Sequence, residues 1–362
     1  MKQCFFLSIA AFALWLTGCG CSAAESSSAD SIVSDEMTTT TTEATQSQAE
    51  TTATSPMGSI NPLTGETGFP AHAVGKRPVA VMVNNVTVSL PQYGIAAADV
   101  LYEIPVEAGI TRLMALYADY SAVPDVCSVR SCRYYYPLIA YGHDAIYCHW
   151  GTDRTIAADT LERLRIDRLD GAGNGWLKCF FRDEERRKVY AVEHTGYLDG
   201  SSLPEVIDDM GFRTEKKPEA AFSFYPPHAL HSEGEPCSAA VLHFSSHYAS
   251  AFVYDATAGV YLKSHNGKPH MDSHTQTQLA FANVLILQTE ISPREDGYLM
   301  DVALEGGSGF YLSAGAKLPL IWKKSADDAP IELFRTNGDV LALNVGKSYI
   351  GILDTDRMID WN

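Results

Sequence analysis

The stretch PVAVMV, Pro78–Val83, offers no polar face to water. A continuous apolar run of strand length predicts a strand buried within a sheet, so the chain must build layers around it. Asp99–Ile104 and Ile110–Tyr117 read as two further strands, separated by Pro105–Gly109, and predict an antiparallel hairpin. A helix is expected within Ser131–Tyr141, then a strand at Asp144–His149. Thr152 or Asp153 stands ready to cap a second helix carrying Ile156, Leu161 and Leu164 at helical spacing. Leu203–Met210 predicts another short helix. This half reads as mixed α/β.

Past Lys216-Lys217-Pro218 and Pro226-Pro227 the pattern changes. Short apolar or alternating runs follow: Ala240–Phe244, Ala251–Tyr254, Val260–Lys263, Val284–Thr289, Tyr298–Val302, Phe310–Leu312, Ile331–Phe334 and Val340–Leu343. Asn266-Gly267, Asn337-Gly338 and Gly306-Gly307 punctuate them as turns. The expected fold class is an α/β mixed-sheet N-terminal domain, 60–220, followed by a mostly β C-terminal domain, 221–362.

What precedes residue 60 is of another kind. Lys2 and the apolar run Phe5–Leu16 have the length of a signal sequence and fall short of a membrane span of about 20 residues. The run ends in Leu16-Thr17-Gly18-Cys19, which resembles the lipobox of bacterial lipoproteins. Residues 1–18 are therefore expected to be a lipoprotein signal peptide. Cys19 would be acylated, and two acyl chains hold a protein on a bilayer where one is marginal. Residues 19–59 read as an acidic Ser/Thr-rich tether, with Glu25, Asp30, Asp35, Glu36, Glu43 and Glu50 and no Lys or Arg after Ser22. The expected location is the extracytoplasmic face of the cell membrane.

The formal net charge of the chain is −17. An acidic folded part lacks the basic footprint that phosphate backbones need, so no nucleic acid partner is expected. Of eight cysteines, Cys4 would leave with the signal and Cys19 would stay and carry the lipid. The other six are compatible with disulfides outside the membrane or with buried free thiols, and Cys127 and Cys132 with a small loop closure.

Six segments occur in one order: NPLTGE, RPVAVMVNN, PQYGIAAADVLYE, VEAGITRLMALY, VRSCRYYYPL and YGHDAIYCHWG. Together with VYLKSHNGKPHMDSHT, FANVLIL and GAKLPLIWKK they resemble the YerB-like lipoproteins of Gram-positive bacteria. The resemblance implies a mixed α/β first domain, a smaller second domain and an envelope location. It supplies no reaction. The chain departs from that pattern at its arginine loop, where Ser128-Val129 replace Gly-Pro, Cys132 replaces Ala and Tyr134 replaces Pro. Asn84-Asn85 stands where Asp-Asn is common, and Trp150-Gly151-Thr152 where a Gly-Gly-Ser type loop is.

That loop, DVCSVRSCRYYYPL, carries the candidate chemistry. If Ile110–Tyr117 and Asp144–His149 are parallel, the loops after them share the carboxyl edge of the sheet, where open α/β folds bind ligands. Arg130, Ser131, Arg133, His149 and Thr152 would then converge on an anionic ligand such as a cell-wall glycan, with Tyr134–Tyr136 and Trp150 as walls. Glu107 and Arg112 belong to the same candidate set; an ion pair fixing the hairpin turn is the bland reading of both. A non-catalytic binding or scaffold module is the favoured function. The alternative is a cell-wall polymer hydrolase using Glu107 with His149 or Asp144. His265, His270, Asp272 and His274 are metal-capable but lack HExxH spacing and sit on a hairpin, so no metal or other cofactor is expected. Of these four the resemblance points to Asp272. Gly346-Lys347-Ser348 lacks the first glycine of a phosphate loop, and Gly306-Gly307-Ser308-Gly309 lacks the last glycine of a nucleophile elbow; both read as Gly-rich turns.

Overall fold

The computed structural model describes residues 59–362, apart from 174–177, 218–220 and 228–229. The signal segment, Cys19 and the tether up to residue 58 lie outside the described residues, as does Cys21.

Val79–Asn84 (β1) is buried at every position. Val100–Pro105 (β2) and Thr111–Tyr117 (β3) are equally covered. They pair antiparallel as a hairpin, whose turn places Ala108 and Gly109 at positive φ. Tyr135–Gly142 (α1), Ile146–His149 (β4), Ile156–Leu164 (α2) and Arg168–Asp170 (β5) complete the first half. Asp153 accepts the backbone N–H groups of Thr155 and Ala157 and so starts α2, as its position predicts. The second half adds Ala239–His243 (β6), Ala249–Asp255 (β7), Val260–His265 (β8), Asn283–Thr289 (β9), Gly306–Ser313 (β10), Ala316–Lys323 (β11), Ser348–Asp354 (β12) and Ile359–Trp361 (β13).

The main sheet runs Glu235–Pro236, β11, β10, β9, β12, β2, β3, β1, β4, β5, with Glu332–Arg335 added beside β11. Strands from both halves are therefore neighbours: β12 lies parallel to β2. The sheet is mixed. β1 pairs antiparallel with β3 and parallel with β4. On one face Ala80 and Met82 of β1 pack with Tyr135 and Ile139 of α1 and Leu161 of α2. On the other, Val79, Val81 and Val83 pack with Leu242, Phe252 and Tyr261 of a second sheet. That sheet runs Lys268–Pro269, β8, β7, β6, β13. Two-sided cover is why PVAVMV has no polar face.

Three expectations need correction. β3 and β4 are not parallel neighbours, because β1 intervenes and runs with β4 and against β3. Gly306-Gly307 is not a turn. It opens β10, where a Cβ on Gly307 would stand 2.1 Å from the Gln288 carbonyl and one on Gly309 2.0 Å from that of Ile286. These glycines let β10 approach β9 closely. Cys127 and Cys132 form no disulfide; both are free and buried, as are Cys148, Cys179 and Cys237. Burial pushes the Cys127 and Cys132 thiols up to about 12.

Candidate functional site

The arginine loop reaches the carboxyl edge by a route other than the predicted one. After β3 the chain turns back, and residues 128–132 thread between the diverging ends of β1 and β4. Asn84 N–H donates to Ser128 O at 2.8 Å and Arg130 N–H to Met82 O at 3.0 Å. Trp150 N–H donates to Arg130 O at 3.0 Å and Cys132 N–H to Gly151 O at 2.9 Å. The two stretches meet at the backbone, and their side chains then part.

Glu107, Arg112 and Arg133 close on one another instead of facing outward. Arg112 Nη2 donates to Glu107 Oε1 at 2.7 Å, and Arg133 donates from Nε to Oε2 at 2.8 Å and from Nη2 to Oε1 at 2.5 Å. The remaining reach of each arginine goes to backbone: Arg112 Nη1 to Ser131 O at 2.6 Å, Arg133 Nη1 to Cys132 O at 2.8 Å. All three residues are buried. Burial alone would raise the Glu107 pKa, but the two guanidiniums outweigh it and hold the carboxyl below its ordinary value. This triad ties the loop to the hairpin turn. A general acid needs the opposite shift, so Glu107 is poorly placed for the hydrolytic role. Asp144 precedes β4, at the end away from His149 and at positive φ, and is held by Arg213 Nη2 at 2.5 Å and by the Lys217 N–H at 2.8 Å.

All three tyrosines are staples, and Tyr134 also lines a cavity, one that His149, Arg130 and Arg133 do not line. Tyr135 Oη donates to Pro105 O at 2.6 Å, Tyr136 Oη to Arg112 O at 2.7 Å, and Tyr134 Oη to Asp301 Oδ1 at 2.5 Å. Trp150 lies under the Arg182 guanidinium, 4.1 Å from its ring centre, and packs edge-on to Phe180. Arg130 is half-buried and gives Nη1 to the Glu193 carbonyl at 3.2 Å. Its charged neighbours are Glu193, Glu107 and Arg133.

His149 and Thr152 instead line an open cavity of about 580 Å³ between β4, β5 and α2, with Glu162, Arg165, Arg168 and Asp170. Neither Arg130 nor Ser131 is part of it. His149 is fully buried. Its Nδ1 is 2.9 Å from the Gly151 carbonyl, which accepts only, so Nδ1 carries the hydrogen and Nε2 the lone pair. Burial lowers the imidazole pKa against the pull of Asp170, so the ring stands neutral near pH 7. Among the described residues, His149 Nε2 is buried without a hydrogen-bond partner, and the Thr152 hydroxyl has the Cys132 thiol beside it. Asp170 spends its Oδ1 on the Gly151 and Ala172 N–H groups, at 2.7 and 2.9 Å. Arg165, in the left-handed residue that ends α2, is exposed and forms no ion pair among the described residues. Among the described residues the Arg168 side chain has one hydrogen bond, to the Leu161 carbonyl at 3.4 Å, and no ion pair. A positive Cα conformation and an exposed strand end were the sequence-invisible facts that bring these two cations here.

The four metal-capable residues of the β8 hairpin do not gather round an ion. Among the described residues no group of three or more His, Cys, Asp or Glu side chains is placed to hold a metal. Asp272 accepts the N–H groups of Ala96 and His274, both at 2.9 Å, and His274 stacks on Tyr93 at 3.8 Å. Lys263 stands in no recognisable catalytic or metal-binding motif of the sequence. It is fully buried, and its Nζ lies 3.1 Å from Glu103 Oε2, 2.8 Å from Ser250 Oγ and 3.1 Å from His270 Nδ1. The alternation Tyr261, Lys263, His265 on one face of β8 was the signal.

A mixed sheet backed by helices on one face and a second sheet on the other, with an arginine loop wedged into its carboxyl edge, defines a two-part α/β and β class. The chain belongs to the DUF3048 family. Residues 63–213 match "Protein of unknown function (DUF3048) N-terminal domain" and residues 240–350 its C-terminal domain. It is similar to "Putative lipoprotein YerB" of Bacillus subtilis (strain 168), 26% identical over 288 residues, covering 77% of this chain and 81% of that protein. The crystal structure of YerB from Bacillus subtilis superposes with a TM-score of 0.72 at 26% identity, over 83% of this chain and 99% of that one.

Proposed function

We propose that the protein is a lipid-anchored, non-catalytic binding module of the cell envelope, and that its ligand is a hydroxyl-bearing anion held beside His149. The observation that carries this reading is the unpartnered His149 Nε2, in a residue that lines a cavity with Thr152, Arg165 and Arg168. A neutral imidazole lone pair takes a hydroxyl hydrogen, and the two guanidiniums take a carboxylate or phosphate. Sugar acids and polyol phosphates of the cell wall combine both groups. The cavity has the size of ordinary small-ligand sites.

The anchor rests on Leu16–Cys19 and on the name that the Bacillus relative carries. Among the described residues no helix is long and apolar enough to cross a membrane, so acylated Cys19 is the proposed attachment.

The test is a calorimetric titration of wall fragments, muropeptide carboxylates and glycerol phosphate oligomers, against the protein and against Arg165→Ala with Arg168→Ala. Binding by at least one class, weakened about tenfold or more in the double variant, supports the reading. Equal affinity in both proteins, or no binding, overturns it. Incubation with peptidoglycan checks the hydrolytic alternative: release of fragments that Glu107→Gln abolishes would replace binding by catalysis.

A further inference from the structure

A further cavity, of about 310 Å³, lies beside the end of β8. Leu90, Pro91, Pro269 and Met271 form its apolar walls, and Thr87, His265, Asn266 and His270 line it beside them. His270 is spent: Nδ1 receives Lys263 Nζ at 3.1 Å and Nε2 donates to Gln92 Oε1 at 3.0 Å. His265 is not. It is 3% exposed, and its Nδ1 has no hydrogen-bond partner among the described residues. Thr87 Oγ1 accepts from Asn266 Nδ2 at 3.3 Å and lies 3.5 Å from His265 Nε2. With the Thr87 hydroxyl donating across that contact, the imidazole hydrogen sits on Nδ1, buried and without a partner. Burial and the Lys263 charge keep the ring neutral, with its pKa lowered to about 4.

Lys263, near the cavity, is paired with Glu103 at 3.1 Å, which leaves Lys268 as the unpaired cation there. Lys268 lines it, is exposed, and makes no ion pair among the described residues. A recess with apolar walls, an unpartnered imidazole nitrogen among its lining residues and an unpaired cation beside it matches one ligand chemistry.

We infer that this cavity binds a small apolar group ending in a carboxylate, its apolar body against Leu90, Pro91, Pro269 and Met271 and its carboxylate between His265 Nδ1 and Lys268. The volume corresponds to about ten water molecules, which suits one amino-acid residue. The ligand is a free apolar acid or the carboxyl terminus of a peptide. This site is separate from the His149 cavity and does not depend on it.

Saturation-transfer NMR and calorimetry on the full-length protein test it with three probes: N-acetyl-leucine, N-acetyl-leucine amide, and an uncharged tetrapeptide ending in leucine. Binding of N-acetyl-leucine or the tetrapeptide at least tenfold tighter than the amide is expected, and which of the two binds more tightly identifies the source. Lys268→Glu, an exposed change, lowers that affinity at least fivefold, and His265→Phe abolishes it, while Arg165→Ala leaves it unchanged. Amide binding as tight as the acid, binding indifferent to Lys268→Glu, or no binding of any probe at millimolar concentration overturns the inference.

Discussion

Glu103 of β2 and Lys263 of β8, 160 positions apart, meet at 3.1 Å in the space between the two sheets, and neither is exposed to solvent. Glu103 also accepts from Asn85, Thr111, Ser250 and Tyr349, at 3.0, 2.7, 2.8 and 2.9 Å. Burial would raise its pKa, but Lys263 and the donors outweigh that and lower it. Lys263 fills its three hydrogens with Glu103, Ser250 and His270. A buried ion pair is stable only when its leftover hydrogen-bonding capacity is filled, and here it is. The pair joins residues from the matched N-terminal and C-terminal regions.

Removing one partner strands the other. Lys263→Met is expected to cost about 3–5 kcal/mol by leaving the Glu103 carboxylate unpaired. Glu103→Leu combined with Lys263→Met should cost less than Lys263→Met alone. Urea denaturation of the three proteins measures both quantities, and a double variant less stable than the single one contradicts the account.

The Glu107 triad sets an acid limit. Its pKa is lower folded than the 4.5 ordinary for the group, so its stabilisation is complete above about pH 5 and is lost as pH falls through the folded value. Glu107→Gln should lower stability at pH 7 by about 3 kcal/mol and flatten the acid limb. The difference between variant and parent, followed by denaturation from pH 7 to pH 3, should shrink.

Gly94 is fixed at φ +86, and a Cβ there would lie 2.3 Å from the Asp125 carbonyl. Gly94→Ala combines left-handed strain with a backbone clash and is expected to destabilise by about 2–4 kcal/mol. It should also loosen the segment feeding the arginine loop, seen as faster amide exchange at Val126–Arg130.

The five described thiols are buried. In the native protein they should resist an aromatic disulfide reagent over minutes and react on denaturation, Cys127 and Cys132 among them. Fast native labelling at either would contradict the packing.

Much of this architecture is legible in the primary order because burial on both faces leaves a plain mark. Pro78–Val83 is a strand since nothing in it tolerates water, and Asp99–Ile104 and Val284–Thr289 are strands dominated by apolar residues whose polar members, Glu103 and Thr289 among them, find partners inside. Asn266-Gly267 is a turn, with both residues at positive φ. Sheet order is less legible: that β1 separates β3 from β4 depends on pairing energies between distant segments. The site was half legible. Residues 128–133 and 149–152 do meet, yet consecutive residues of an extended chain face opposite sides. Arg133 therefore turns into the triad, and His149 into a cavity whose cations, Arg165 and Arg168, follow a helix end that residue type alone does not mark. Arginines beside a buried glutamate satisfy it before they serve a ligand.

The most direct measurement is the 15N resonance of His149 Nε2 during titration with a glycerol phosphate oligomer or a muropeptide. The account predicts a neutral ring with the hydrogen on Nδ1 in the free protein, and a shift of Nε2 alone as a ligand hydroxyl donates to its lone pair, lost in Arg165→Ala with Arg168→Ala. A ligand that binds while Nε2 stays still, or a free protein whose His149 is already protonated at pH 7, would contradict it.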